Sequence, residues 1–245
     1  MTDLALLEVR GVSKVYGGLT AVRDVSFSVR RGEIVGVMGA NGAGKTTLFN
    51  LISGTARPNQ GEIHFDGERI DGLRPDEICA RGIGRTFQIV KPFAGLTVTE
   101  NVEVGLLFGS RRRPDAGFDV DLQELLREVG LADMAERTAS QLTLVGRKRL
   151  EVARALATRP ALLILDEIMA GLTPSEAAAA LAMLARLHDR LGMTMLVVEH
   201  HLRAMMQLCQ RVVVLHHGEK IGEGAPADII RDPAVVSAYL GATHA

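Results

Sequence analysis

The sequence predicts an α/β fold with a mostly parallel sheet core, an antiparallel β-subdomain at the N-terminus and an inserted helical subdomain. Short apolar runs have the composition of strands buried on both faces; they are Ile34–Met38, 162–165 and 195–198, with a possible fourth at 212–215. A stretch with helical spacing separates the first run from the second, and such alternation favours parallel strands. With 245 residues, 47% of them hydrophobic, the chain can bury a sizeable core.

The N-terminal part has the patterns of antiparallel strands. Alternating or β-branched apolar residues at 7–9 and 25–29 are separated by the turn-rich segment 16–18, which predicts an opening antiparallel sheet. Residues 63–65 are followed by Asp66-Gly67, which predicts a further hairpin strand and its turn.

The helical subdomain is indicated by leucines three to four residues apart between Leu122 and Val129, with Gly130 placed to end the helix. We expect one domain over residues 1–245, with its core at 1–90 and 159–245 and the helical lobe at 91–158.

Composition argues against several classes of protein. The net charge of −1 disfavours a nucleic-acid partner, and the basic run at 111–113 reads as a solvated loop. Cys79 and Cys209 lack the spacing of a metal or redox site. The longest apolar run, 177–185, is far shorter than the roughly 18 residues that cross a bilayer, so we expect a chain that is neither secreted nor self-inserting.

A phosphate-binding loop follows the first buried run and precedes a predicted helix at 47–53. Its residues match G-x-x-x-x-G-K-[ST] in full. Glycines let consecutive N–H groups point at phosphates, Lys45 supplies charge at the β- and γ-phosphates, and Thr46 offers a hydroxyl to Mg²⁺. We therefore predict ATP and Mg²⁺ as ligands. The predicted nucleotide-binding residues here are Gly39, Ala40, Asn41, Gly42, Ala43, Gly44, Lys45, Thr46 and Thr47.

Two carboxylates, Asp166 and Glu167, end the buried run at 162–165, which places them at the carboxyl edge of the parallel sheet. One could hold the Mg²⁺ shell while the next positions water. Taken alone, the pair also fits a plain acidic turn. His200 ends the next run, where it could approach the γ-phosphate, although a lone histidine there is more often a helix cap or a surface residue.

In this order, these residues resemble the nucleotide-binding domains of ABC transporters over nearly the whole chain. The resemblance implies that Tyr16 stacks on adenine and that Gln88, in the segment 85–88, is the Q-loop residue that contacts Mg²⁺ and links the γ-phosphate to the lobe touching the permease. It also implies that Asp166 supports Mg²⁺, that Glu167 is the general base for water, with Lys45 also catalytic, and that His200 is the switch histidine.

Segments 16–22, 85–88 and 238–241 are most similar to the short ATPases of branched-chain or hydrophobic amino-acid importers, and urea and short-amide importers look much alike. The resemblance implies a peripheral ATPase on the cytoplasmic face of the plasma membrane. Its expected partners are membrane permease subunits, a second ATPase subunit in a homo- or heterodimer and, indirectly, a periplasmic or extracellular solute-binding protein. The cargo and direction of transport rest on resemblance alone.

The family signature, usually Leu-Ser-Gly-Gly-Gln, is altered. The corresponding residues are Leu142-Thr143-Leu144-Val145-Gly146, where Thr143 keeps the hydroxyl and Val145 replaces the second glycine. Shifting by one residue would make Gly146 the signature glycine but would break the match through 149–156, so the ungapped alignment is favoured. A β-branched residue adds bulk where close approach to the partner subunit's ATP is needed.

Smaller departures are Ile168, where the family commonly has proline, and Thr173, where it commonly has aspartate. The altered signature leaves open a regulatory subunit that binds ATP with weak hydrolysis. A non-transport ATPase acting on DNA or ribosomes is disfavoured, because the chain carries no coiled-coil insertion, zinc module or second ATPase domain. In a heterodimer, we hypothesise that this subunit's own site is the faster one.

Overall fold

The computed structural model describes residues 5–87, 91–109, 121–199 and 202–241. The strands are β1 Ala5–Tyr16, β2 Leu19–Arg30, β3 Ile34–Met38, β4 Gln60–Phe65, β5 Glu68–Arg69, β6 Ile83–Arg85, β7 Leu162–Asp166, β8 Thr194–Val198, β9 Arg211–His216 and β10 Glu219–Gly224. The helices are α1 Lys45–Ile52, α2 Pro75–Ala80, α3 Val98–Phe108, α4 Leu122–Glu128, α5 Leu144–Ala157, α6 Pro174–Leu191, α7 Leu202–Leu208, α8 Pro226–Ile229 and α9 Pro233–Gly241.

The chain forms two compact units. The first combines Met1–Pro75 with Thr194–Ala245, and the second is Asp76–Met193. In the described part of 91–158, the regular elements are α3, α4, two 3₁₀ turns and α5, with one isolated bridge between Thr97 and Thr138. The limits 91–158 for a helical lobe stay a prediction.

The first unit contains the predicted antiparallel sheet, with strand order β2-β1-β4-β5. Strand β1 pairs antiparallel with both β2 and β4, and its Leu7, Val9 and Val12 side chains are buried. The turn between β4 and β5 has positive φ at Asp66 and Gly67, which suits a two-residue hairpin loop. The strands predicted at 7–9, 25–29 and 63–65 are confirmed.

The first unit also holds the neighbouring strands β10-β9-β3-β8. Strand β3 is parallel to both β8 and β9, and β10 returns antiparallel beside β9. Every residue of β3 and β8 is buried, as continuous apolar runs require in a covered parallel sheet. The predicted strands at 34–38, 195–198 and 212–215 are confirmed. These parallel strands bring the loop after β3 to the edge where ligands bind.

In the second unit β6 and β7 pair in parallel, with Arg85 opposite Ile164. The predicted helix near Leu122 is confirmed as α4, capped by the Asp121 side chain and ended by Gly130 at φ +71°. None of the helices in the described ranges is long and apolar enough to span a bilayer.

Candidate functional site

The phosphate loop connects β3 to α1 in the first unit. The loop turns tightly, with the Ala43 N–H bonded to the Ala40 carbonyl at 3.1 Å, and α1 begins at Lys45 after the N-cap Gly44. Since the first N–H groups of a helix have no partner within the helix, and Gly44 offers no side-chain cap, this end of α1 suits an anion.

Gly44 is required by its surroundings. Its φ is +100°, and a Cβ there would lie 2.4 Å from the Ala21 carbonyl oxygen. A side chain would therefore be strained by the backbone and would also collide with β2. The loop keeps its curl only with glycine at this position.

Lys45 is only 5% exposed, yet its ammonium is satisfied within the loop. Nζ donates to the carbonyls of Gly39 at 2.7 Å and Ala40 at 2.9 Å, so the loop is curled around its own lysine. Asn41 and Thr46 are exposed, and Thr47 is half-buried. A positive charge beside a helix N-terminus fits the polyphosphate of a nucleotide, with the Thr46 hydroxyl exposed as a hard oxygen ligand.

Tyr16 ends β1 in the same unit as the phosphate loop, and it is 46% exposed. The Lys14 ammonium lies 5.0 Å from the centroid of its ring, a cation–π distance. An exposed aromatic ring of this kind offers a stacking surface.

Asp166 and Glu167 lie at the end of β7 in the second unit. The Asp166 side chain is buried, and its Oδ2 accepts a hydrogen bond from Nη2 of Arg85 at 3.0 Å. Its N–H donates to the Thr86 hydroxyl at 3.1 Å, so the residue is held through both its side chain and its backbone. Carboxylate oxygen is a ligand that Mg²⁺ prefers.

Glu167 has φ +49°, an unusual conformation for a residue with a side chain. Its carbonyl accepts from Nζ of Lys148 at 3.1 Å and from the Ala170 N–H at 3.1 Å. Backbone strain of this kind concentrates at functional sites, where the surroundings hold it in place.

Three neighbours of these carboxylates, Arg85, Lys148 and Glu151, carry roles that sequence reasoning missed. Glu151 accepts the Phe87 N–H at 2.8 Å. The available signal was a lysine and a glutamate three residues apart on the same face of a predicted helix.

The altered signature forms the start of α5. Thr143 is the N-cap, and its hydroxyl accepts from the Gly146 N–H at 3.2 Å. Val145 lines a small apolar cleft together with Ile168, Leu172 and Met183. Two departures from the family pattern, Val145 and Ile168, thus line the same cleft, so part of the added bulk is accommodated within the subunit.

Thr173, another departure from the family pattern, caps α6. Its side chain accepts the Glu176 N–H, and the Glu176 carboxylate accepts the Thr173 N–H at 2.8 Å. This capping box gives threonine a structural role at the position.

Gln88 and His200, both predicted site residues, lie outside the described residues, as does the basic run 111–113. Within the described ranges, no group of three or more histidine, cysteine, aspartate or glutamate side chains could hold a metal on its own. Burial raises the pKa of Cys209 to about 12 and also raises the pKa of Cys79, so neither thiol has the character of a reactive thiolate.

Comparison with known proteins decides the family. Residues 22–170 match the model of the ABC transporter family. The chain is 37% identical to the high-affinity branched-chain amino acid transport ATP-binding protein BraF of Pseudomonas aeruginosa, covering 96% of this chain and 98% of that protein. The chain belongs to the ABC transporter ATP-binding family. Members of this family hydrolyse ATP to drive transport, so the resemblance drawn from the motifs is confirmed.

Further likenesses refine this membership. The chain is 36% identical to LivG of Escherichia coli K12, covering 96% of this chain and 98% of that one. Residues 219–245 match a second model, the branched-chain amino acid ATP-binding cassette transporter. The ADP conformation of the ABC cassette MJ1267 superposes with a TM-score of 0.85 at 29% identity, covering 97% of this chain and 99% of the other, which confirms the predicted fold class.

Proposed function

We propose that this chain is the ATP-hydrolysing subunit of an importer of branched-chain amino acids. The observation that carries the cargo is the C-terminal match at residues 219–245, because the matched model is that of the branched-chain amino acid ATP-binding cassette transporter. The similarity to BraF and LivG over 96% of the chain supports the same cargo.

The first unit supplies the nucleotide-binding groups. The loop from Gly39 to Thr47 receives the phosphates on its N–H groups and the Lys45 ammonium, while Tyr16 stacks on the adenine. Lys45 serves catalysis through the same charge, which opposes the negative charge on the γ-phosphate as it is transferred. Its tethering by the Gly39 and Ala40 carbonyls keeps that charge within the loop.

Mg²⁺ is the proposed metal; the Thr46 hydroxyl, the Asp166 carboxylate and Gln88 would hold it, as their positions in the family pattern imply. When bound, it neutralises charge on the phosphate oxygens. The chain's own contribution is these oxygen ligands, among which the Asp166 carboxylate has a fixed orientation. For Asp166 that orientation comes from the Arg85 guanidinium and the Thr86 hydroxyl.

The second unit supplies the base. In the proposed reaction Glu167 accepts a proton from the attacking water. The positions of His200, which belongs to the first unit, and of Gln88 in the family pattern imply that both act near the γ-phosphate. Support for Glu167 comes from its strained backbone at φ +49°, held by the Lys148 ammonium.

The chain works with other subunits on this proposal. ABC ATPases act with membrane permease components and dimerise. One similar structure, the cassette MJ0796, is a dimer bound to ADP and Pi. It superposes with a TM-score of 0.78 at 27% identity, covering 90% of this chain and 98% of that one. For this chain we propose permease subunits, a second ATPase and, indirectly, a solute-binding protein, with the ATPase peripheral on the cytoplasmic face of the membrane.

Uptake by cells lacking the chromosomal copy of this gene tests the cargo. Cells complemented with the wild-type gene should take up radiolabelled leucine, and cells complemented with Glu167→Gln should not. Excess isoleucine should compete with the label, and excess urea or acetamide should not. Restored urea or acetamide uptake without leucine uptake would favour the urea and short-amide alternative. Full leucine uptake with Glu167→Gln would favour a regulatory subunit.

A further inference from the structure

Helix α5 buries two charged residues along one face. Lys148 and Glu151 are each 8% exposed, and they lie three residues apart, so they are neighbours on the helix surface. Buried charges are costly unless they are bonded, and an apolar side chain could pack at either position without that cost. Their contacts therefore indicate what the two charges do.

Glu151 reaches the chain just before Gln88. Its Oε1 accepts the Phe87 N–H at 2.8 Å, two residues beyond the end of β6. The Phe87 ring meanwhile lies 5.0 Å from the guanidinium carbon of Arg85, which itself bonds Asp166. Glu151 thus fixes the backbone at Phe87, just after the end of β6.

Lys148 reaches the chain at Glu167. Its Nζ donates to the Glu167 carbonyl at 3.1 Å, at the position where φ is +49°. A left-handed backbone with a full side chain persists only when its surroundings hold it. The ammonium is one such restraint, and it acts on the backbone that aims the proposed base.

The charge of Lys148 is among those that act on the buried Glu151 carboxylate. Burial raises the pKa of Glu151, the Phe87 N–H and the charges of Arg154 and Lys148 lower it, and the charge of Asp166 raises it again, leaving that pKa above its usual value. Because burial is the largest of these causes, ionised Glu151 occupies this position at an energetic cost. Strand pairing already joins β6 to β7, so that cost is not needed to hold the strands together.

We propose that Lys148 and Glu151 are positioning residues for ATP hydrolysis. Both belong to α5, the helix that begins at the signature segment 142–146. Through them this helix holds two backbone positions, Phe87, which precedes Gln88 in the chain, and Glu167. This inference rests on the proposed function, in which Gln88 and Glu167 serve hydrolysis. It adds two residues that act through the backbone of others, and it connects the signature helix to the proposed base of the same subunit.

Steady-state ATP hydrolysis by the full-length chain, with Mg²⁺ present, tests the proposal through paired variants. Glu151→Leu removes the acceptor of the Phe87 N–H, and Lys148→Met removes the donor to Glu167. Each should lower kcat about 10- to 100-fold, the usual effect of a small misplacement of catalytic groups, while KM for ATP stays within about twofold. Glu151→Gln and Lys148→Arg keep an acceptor and a donor, so they should retain kcat within about threefold of wild type.

A matched control and a structural readout separate positioning from folding. Glu124→Leu makes the same substitution at an exposed glutamate of the second unit, paired with Arg190, and it should leave kcat unchanged. Hydrogen exchange at the Phe87 amide should speed up in Glu151→Leu but not in Glu124→Leu. Thermal unfolding of each variant gives the fraction folded at the assay temperature, to which kcat is normalised.

The outcomes are distinct. Normalised kcat unchanged in both Glu151→Leu and Lys148→Met would overturn the inference, and so would a Glu151→Gln variant as slow as Glu151→Leu. Hydrolysis that falls only in proportion to the unfolded fraction would also overturn it. If wild-type protein hydrolyses ATP but no variant differs from it, the inference alone fails; if wild type shows no hydrolysis in any combination of subunits, the proposed function fails first.

Discussion

Arg85 and Asp166 form a buried ion pair, with Nη2 and Oδ2 3.0 Å apart and side chains 7% and 5% exposed. The arginine is the last residue of β6, three positions before Gln88, and the aspartate, a proposed Mg²⁺ ligand, is the last residue of β7. The pair therefore links the ends of these two strands. An interaction this well buried is removed at high cost when one partner is lost.

Arg85→Met should therefore lower the free energy of unfolding by about 3–5 kcal/mol, because it leaves the Asp166 charge buried without its guanidinium. Urea unfolding followed by circular dichroism measures this. The control is Arg23→Met, which breaks an exposed pair with Glu219 and should cost at most about 1 kcal/mol. Equal losses in the two variants would contradict the importance of burial.

Gly44→Ala should abolish tight ATP binding by distorting the phosphate loop. The added Cβ would lie 2.4 Å from the Ala21 carbonyl oxygen at φ +100°, so the loop has to shift. Gly67→Ala is the control, since its φ of +80° imposes conformational strain alone, about 1–2 kcal/mol, in open space. Titration with a fluorescent ATP analogue should show weakened binding for the first variant and wild-type binding for the second.

Relative to wild type, the Glu151→Gln variant should become progressively more stable as pH rises. The pKa of Glu151 is raised mainly by burial, so ionising the carboxylate costs more in the folded than in the unfolded protein. Its contribution to stability is fully present below the unfolded pKa and is lost as pH rises through the folded pKa; glutamine has no such loss. Melting temperatures between pH 4 and pH 8 should diverge in favour of the variant, and parallel curves would contradict the expectation.

Val145→Gly, which restores the common signature residue, should lower the free energy of unfolding by about 1–3 kcal/mol. It removes a side chain from the cleft shared with Ile168 and Leu172 and introduces glycine into the first turn of α5. Urea unfolding measures the loss. A variant as stable as wild type would mean that Val145 does not contribute to packing.

The sequence predicted what local patterns and a full motif encode. The uninterrupted apolar run at β3 and the alternation in β1 set the strands, and the phosphate loop was readable because Lys45 and Thr46 follow its glycines between a strand and a helix. The antiparallel turn at Asp66-Gly67 was readable for the same reason: its chemistry is local.

Contacts between residues far apart in the chain could not be predicted from the sequence patterns. Arg85 meets Asp166 across 81 positions and Glu151 meets Phe87 across 64, and no periodicity encodes which charged residues are buried together. The sequence indicated the added bulk of Val145 but not that its side chain lines a cleft with Ile168. Only the packing of α5 against its neighbours determines such directions.

Steady-state ATP hydrolysis by the purified chain, alone and mixed with its candidate partner ATPase, tests the central claim most directly when wild type is compared with Glu167→Gln. The account predicts Mg²⁺-dependent turnover that rises on mixing and falls by about 10²- to 10⁴-fold with Glu167→Gln, while ATP binding persists. Turnover unaffected by the substitution would contradict the assignment of Glu167 as the base and place catalysis elsewhere.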